Sequence, residues 1–281
     1  MSFDYHRPTT LEEAWRLGST PGARFIAGGT DVMVRLREGK IAPSSLVSLG
    51  RIAELARIDA GPPLFIGAGV KVADIAGSAE LAAATPSLVE AAGLLGSIQI
   101  RNAATVGGNL CNASPCADLA PPLLVHDARL RLASSSGVRE VSLEEFFVGP
   151  RVSLLEPGEI LLGVLVPNAP TARTAFVKRG RVRMDIALAS VAVLIEIDGG
   201  RCRKARVAAG SLGPRPMRLG AVEKVLTGRV LDDAAIGDAR KMAEREVRPI
   251  SDVRAGADYR RHLAGALFER ALRRALSGGG A

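Results

Sequence analysis

Aromatic residues make up only 4% of this 281-residue chain, so alanine, leucine and valine must fill its core; hydrophobic residues reach 47%, enough to build one. The same scarcity counts against single-stranded nucleic acid, which binds by stacking bases on rings along a basic groove. The net charge of +8 comes mostly from arginines scattered along the chain. That excess fits a solvated surface, an acidic partner protein or an anionic cofactor better than a nucleic acid. Cys111, Cys116 and Cys202 are too few to read as a disulfide framework in a chain of this length. Cys111 and Cys116 supply two of the roughly four thiolates of a zinc or iron–sulfur site, so structural or free thiols are expected and no metal. His6, His126 and His262 lie far apart, and there is no His-Glu-x-x-His, no Gly-x-Ser-x-Gly and no P-loop, since Gly39-Lys40 is followed by Ile41. Gly67-Ala68-Gly69 begins like a dinucleotide fingerprint but lacks the third glycine. No apolar run approaches the roughly 20 residues that span a bilayer, and no cationic segment followed by an apolar one opens the chain, so the expectation is a cytoplasmic protein.

What the chain does have is two glycine loops, each after an apolar run: Phe25-Ile26-Ala27-Gly28-Gly29-Thr30-Asp31-Val32, and Arg101-Asn102-Ala103-Ala104-Thr105-Val106-Gly107-Gly108-Asn109. Adjacent glycines flanked by a hydroxyl and an amide make a poor helix and a poor strand, but they suit a turn whose N–H groups converge on an anion. One such loop is more readily a plain tight turn. Two suggest a pair of turns holding the two phosphates of one diphosphate. Neither carries a cation apart from Arg101, so the donors would be backbone N–H groups, the hydroxyls of Thr30 and Thr105, and the amide of Asn109. Neutral donors suit a cofactor that stays bound, because phosphoryl transfer calls for Mg²⁺ and a Lys or Arg clamp.

The surrounding pattern is mixed. Thr9 or Thr10 caps a short helix from Leu11, Arg24 to Ala27 is a strand entering the first loop, and Val32 to Leu36 a helix leaving it. Strand-like Leu64 to Gly69 precedes helical passages at Val72 and at Pro86 to Leu95. Ala128 to Ala133 alternates and pairs with Val138 to Val141, Glu144 to Phe147 opens a loop, and Ile160 to Val166 is a strand. Past a linker at Pro167 to Thr174 come the strands Ala175 to Lys178, Ala187 to Ile197 and Cys202 to Ser211, then helices at Leu219 to Leu226, Asp232 to Val247 and Tyr259 to Leu276. Gly278 to Gly280 is read as a flexible tail.

The two loops, with Gln99-Ile100 ahead of the second and Ala113-Ser114-Pro115-Cys116-Ala117-Asp118 after it, resemble the FAD-binding medium subunit of molybdenum hydroxylases, a group that includes xanthine dehydrogenases and aerobic CO dehydrogenases. The likeness extends to Lys178-Arg179-Gly180 and Asp185-Ile186-Ala187 and so covers nearly the whole chain.

This resemblance implies an α+β fold: a two-subdomain FAD-binding unit of the vanillyl-alcohol-oxidase (PCMH) type at 1–55 and 56–168, then an α+β domain with an antiparallel sheet and helices at 174–277. Phe25, Ile26, Ala27, Gly28, Gly29, Thr30, Asp31 and Val32 would wrap one side of the FAD diphosphate. Arg101, Thr105, Gly107, Gly108 and Asn109 would form the other side. Asp118 would accept hydrogen bonds from FAD hydroxyls as a carboxylate with no cation beside it. Leu161 or Leu162 would meet the isoalloxazine, Lys178 would approach the ring, and Leu95 would lie near the adenine or the ring. With no histidine in either loop, the FAD would be noncovalent. By the same resemblance the subunit accepts electrons from a small subunit with 2Fe–2S clusters, beside a large molybdopterin subunit, and passes them to NAD⁺, O₂ or another acceptor. Gly-Gly-Thr-Asp in the first loop is closer to the xanthine dehydrogenase type than to the Gly-Gly-His-Ser of CO dehydrogenases. No cysteine-rich insertion is present, so no extra cluster is expected. The competing readings are a stand-alone FAD oxidoreductase of the same fold and a nonenzymatic binding or assembly protein.

Overall fold

The computed structural model describes residues 3–278, so Gly279 and Gly280 of the expected tail lie outside the described residues. Three main sheets divide the chain. The first is a three-stranded parallel sheet with Ser45–Ser48 between Asp4–His6 and Ala23–Ile26. Helix Leu11–Gly18 packs beside it and starts at Thr10, whose hydroxyl accepts from Glu13 N–H at 3.2 Å. Trp15, Phe25 and Leu162 gather around its small core of Ala14, Val47, Ile52, Leu55 and Ile160.

The second sheet is antiparallel, in the order Ile58–Asp59, Leu64–Gly67, Ile160–Val166, Arg129–Ser134, Gly137–Ser142. The expected hairpin of 128–133 with 138–141 forms, with Leu130 opposite Val141. Where a loop was expected at 144–147, the structure has one helical turn, Leu143–Phe146, capped by Ser142. Leu143 and Phe146 carry it because both are fully buried, and core packing outweighs weak local propensity.

The third sheet runs Arg173–Arg179, Ala189–Asp198, Arg201–Gly210, Met217–Arg218, all antiparallel. Its central strand reads as an unbroken apolar run because both faces are covered. Val191, Val193 and Ile195 point into a core shared with helix Ala257–Leu276, while Ala192 and Leu194 join the core of the second sheet's helices. Period-two geometry then fixes the neighbouring strand: Ala175 and Val177 go to the first of these cores and Phe176 to the second. Thr174 and Lys178 share the parity of Phe176, so strand Arg173–Arg179 presents them to the middle of the molecule. Glu90 reinforces this junction by accepting from Phe176 N–H at 2.9 Å and pairing with Arg274.

The second glycine stretch is the main departure from the expected local structure. It is not an open turn but two short helices, Ile98–Ala103 and Val106–Cys111. Ser97 caps the first, and Thr105 caps the second by accepting from Gly108 N–H at 3.0 Å. Neither Gly107 nor Gly108 adopts a positive φ. Gly107 is needed because its Cα backs onto Ala68, where a Cβ would sit 2.7 Å from the Ala68 carbonyl oxygen.

Candidate functional site

The two glycine stretches meet. A Cβ on Gly28 would collide with the Ala103 carbonyl and the Ala104 Cα, so the first loop presses its bare backbone against the residues just ahead of Thr105. Gly29 holds a left-handed φ of 71° that only glycine adopts without cost, and this turns the chain from strand Ala23–Ile26 into helix Val32–Arg37. The glycines of the first loop therefore serve a close approach and a turn, in that order.

Their hydrogen bonding differs in a way the sequence did not reveal. In the second stretch the backbone donors are engaged. Val106 N–H donates to Val70 O, Gly107 N–H to Ala68 O, Gly108 N–H to the Thr105 hydroxyl and Asn109 N–H to Thr105 O, at 2.9–3.1 Å. The expectation that these N–H groups turn outward to an anion is thereby corrected: they lock helix Val106–Cys111 onto the second sheet. In the first loop the N–H groups of Gly28, Gly29, Thr30 and Asp31 find no backbone acceptor among the described residues. Four successive unpaired donors on a partly exposed loop are what a diphosphate requires. In the second stretch Gly108 is exposed, Asn109 half-buried and Thr105 buried. The Asn109 side-chain oxygen accepts from Leu119 N–H at 3.4 Å and ties this helix to the Asp118 segment.

Asp118 is 6% exposed, and its Oδ2 lies 2.6 Å from Lys178 Nζ. The expected isolation of Asp118 from any cation does not hold. The parity of strand Arg173–Arg179 delivers the ammonium to it from 60 residues away. Burial pushes the Asp118 carboxyl up from its ordinary range, and the Lys178 ammonium pulls against this. The second carboxylate oxygen, Oδ1, is buried with no partner among the described residues, an acceptor waiting for a donor. Lys178 also donates to Leu94 O at 3.2 Å. Next to it, Arg101 donates to the carbonyls of Leu95 and Gly96 at 3.1 and 3.0 Å. Arg101 thus shapes the turn around Leu95 through one guanidinium nitrogen. Leu95, 8% exposed, belongs to the central core.

Leu161 and Leu162 part company at a bulge. Leu161 pairs with Leu132 and Gly163 with Arg131, which leaves Leu162 unpaired against that strand. Leu161 enters the central core, whereas Leu162 joins Phe25 and Trp15, and its carbonyl accepts from Ala68 N–H at 2.9 Å. Of the two, Leu162 is the one on the first loop's side.

Two cations at the loop junction escaped the sequence reading. Lys71 Nζ donates at 3.1 Å to Ala103 O, the carbonyl that abuts Gly28. Arg151 bridges Asp31, at 3.8 Å, and Asn112, at 3.1 Å. Neither lies in a motif. The bridge between Lys71 and Thr105 that brings them together is a tertiary pairing 34 residues apart, with no local signal. The junction is therefore less neutral than the loops alone imply. Burial pushes the Cys111 thiol up to about 12, which disfavours its thiolate.

The chain is similar to known proteins over nearly its whole length. Residues 1–169 match the family described as the FAD binding domain in molybdopterin dehydrogenase, and residues 174–275 match the CO dehydrogenase flavoprotein C-terminal domain. The chain is 34% identical to the carbon monoxide dehydrogenase medium chain of Afipia carboxidovorans, over 98% of this chain and 96% of that one. It is 31% identical to the xanthine dehydrogenase FAD-binding subunit of Escherichia coli O157:H7, over 98% and 97%. Among solved structures, a chain of the reconstituted CO dehydrogenase from Oligotropha carboxidovorans superposes with a TM-score of 0.96 at 32% identity, covering 99% of each chain.

Proposed function

As the chain belongs to the family of FAD-binding medium subunits of molybdenum hydroxylases, we propose that it is the electron-transfer subunit of a heterotrimeric member. It would sit beside a small subunit bearing 2Fe–2S clusters and a large molybdopterin subunit, and deliver electrons to NAD⁺, O₂ or another acceptor. It is an oxidoreductase subunit and its cofactor is FAD. Bound noncovalently, FAD supplies the redox chemistry, taking up electrons singly and giving them up in pairs.

The observation that carries this reading is the run of unpaired donors from Gly28 to Asp31 beside its contact with the Thr105 segment. The protein's part is binding and orientation. Phe25 to Val32 hold one side of the diphosphate, and Thr105, Gly108 and Asn109 close the other. Asp118, whose Oδ1 is unpartnered, would accept from a hydroxyl of the cofactor, and Lys178, which fixes the carboxylate, would bring positive charge to the same end of the site. Gly107, Arg101, Leu95 and Leu161 act from behind, as packing that sets these positions. The corresponding division of the chain is 1–55 and 56–168 for the two FAD-binding subdomains and 174–277 for the C-terminal domain.

Trp15, the one tryptophan, shares a cluster with Leu162 and with Phe25 of the first loop. Titrating FAD into the flavin-stripped full chain should quench its emission in a saturable way. The flavin of the isolated chain should then reduce rapidly when the 2Fe–2S partner is supplied with its clusters already reduced, and stay oxidised when the clusters are oxidised. Turnover of an organic substrate by the isolated chain would instead establish a stand-alone oxidoreductase.

A further inference from the structure

Helix Pro86–Leu94 carries a single charged residue, Glu90, whose side chain is 25% exposed. Strand Arg173–Arg179 is an edge of the third sheet, so the backbone groups of alternate residues point away from the ladder and need partners elsewhere. Phe176 finds both. Its N–H donates to Glu90 Oε2 at 2.9 Å, and its carbonyl accepts from Arg274 Nη1 at 3.4 Å. The other carboxylate oxygen, Glu90 Oε1, accepts from Arg274 Nη2. Carboxylate and guanidinium thus close a clamp around one residue of the strand. The strand is held on either side of it as well: Arg173 donates to Leu276 O at 2.8 Å, and Lys178 to Leu94 O at 3.2 Å.

The spacing of these contacts sets a register. Glu90 and Leu94 lie four residues apart on one helix face, about 6 Å at about 1.5 Å per residue. Phe176 and Lys178 lie two residues apart on one strand face, about 6.6 Å at about 3.3 Å per residue. The helix therefore meets the strand at two matched points, first with the Glu90 carboxylate and then with the Leu94 carbonyl. Leu94 ends the helix, so its carbonyl has no acceptor role within the helix and suits an ammonium. From there Lys178 Nζ reaches Asp118 Oδ2 at 2.6 Å.

We propose that Glu90, clamped by Arg274, is a positioning residue for the cofactor: it sets strand Arg173–Arg179 against helix Pro86–Leu94, and through the strand it places the Lys178 ammonium beside Asp118. The proposal rests on the FAD site described above, because Glu90 acts on it only through Lys178.

Three variants of the full chain test this: Glu90→Leu, which removes the acceptor and keeps the volume, Lys178→Met, and the two together. In the flavin-free chain labelled with ¹⁵N-lysine, the ammonium signal that Lys178→Met abolishes belongs to Lys178. Glu90→Leu should shift that signal and speed its proton exchange as the ammonium leaves Asp118. Glu90→Gln, which still offers an oxygen to Phe176 N–H, should keep it close to wild type. Titration with FAD should show Glu90→Leu binding about fivefold more weakly, the scale of one lost hydrogen bond. The double variant should bind no more weakly than Lys178→Met alone. Arg274→Met, at the more exposed end of the clamp, should move both readouts the same way to a smaller extent, and it carries the test if Glu90→Leu does not fold. An unmoved Lys178 signal, or losses that multiply in the double variant, would overturn the proposal and make Glu90 a purely structural contact. Unchanged FAD affinity in Lys178→Met would instead take Lys178 out of the FAD site and overturn the cofactor half of the proposal, while the lysine signal still decides whether Glu90 holds the ammonium.

Discussion

Replacing Lys178 by methionine tests how the C-terminal sheet serves the FAD site. The ammonium and carboxylate of the pair are 5% and 8% exposed and 2.6 Å apart. Methionine keeps most of the side-chain volume and removes the charge, leaving Asp118 buried without its counter-ion. Breaking one side of a buried pair costs about 3–5 kcal/mol, chiefly through the charge left behind. That cost has an escape, because Asp118 can take up a proton. Its carboxyl already stands above its ordinary range through burial, and losing Lys178 removes the groups that pull it down. The sign follows from linkage. A carboxyl whose folded pKa is raised favours the fold below its unfolded pKa of about 3.9 and loses that contribution as pH rises through the folded value. Lys178→Met should therefore fall furthest behind wild type at neutral pH and close the gap as pH falls toward 4. Adding Asp118→Asn to Lys178→Met should recover most of the loss at pH 7, since an amide carries no charge to strand. Urea unfolding of wild type, Lys178→Met, Asp118→Asn and the double variant, flavin-free, at pH 5 and pH 7.5 gives the complete cycle. If Lys178→Met loses under 1 kcal/mol at pH 7.5, or its deficit is the same at both pH values, the pair is not the buried, mutually dependent contact argued here.

Four further outcomes follow from the same geometry. Gly28→Ala should cost about 1–3 kcal/mol by forcing a methyl against the Ala103 carbonyl, and it should also weaken FAD retention, measured as flavin absorbance after desalting. Gly107→Ala meets Ala68 backbone and should destabilise by a similar amount, read as a lower unfolding midpoint. Gly108 is exposed, so Gly108→Leu should leave the flavin-free midpoint nearly unchanged while abolishing FAD retention; full flavin occupancy would remove Thr105 to Asn109 from the phosphate site. His126 is held neutral in the fold, with a pKa of about 4 against about 6.5 when unfolded. Wild type should accordingly lose about 3 kcal/mol relative to His126→Gln as pH falls from 6.5 to 4, a slope absent in the variant's unfolding curves.

The sequence was legible where local chemistry decides. Gly28-Gly29 and Thr105 to Asn109 stood out because hydroxyl-flanked double glycines have few structural uses, and Thr10 and the 129–142 hairpin followed from capping and alternation. What the second double glycine does is not legible in the sequence, for a physical reason. A bare Cα serves an incoming ligand and a neighbouring strand equally well, and only the tertiary position of Ala68 shows that Gly107 serves the strand. Lys71 and Arg151 were invisible for the related reason that their partners, Ala103 O and Asp31, lie 32 and 120 residues away.

Lys178 shows how such long-range placement can still be reasoned out once the sheet is known. Residues 174, 176 and 178 alternate with 175 and 177, and the two sets feed different cores. The apolar members fix the strand's rotation, because turning it over would exchange Phe176 for Ala175 and Val177 in both cores at once. Lys178 then has no freedom to reach solvent, and its ammonium must find a buried acceptor on the face where Phe176 packs. Asp118 and the Leu94 carbonyl supply it. The packing of a C-terminal strand thus determines the charge beside Asp118, at the proposed FAD site. A substitution such as Phe176→Ala, far from any glycine loop, should therefore loosen Lys178 from Asp118 and lower FAD affinity along with stability.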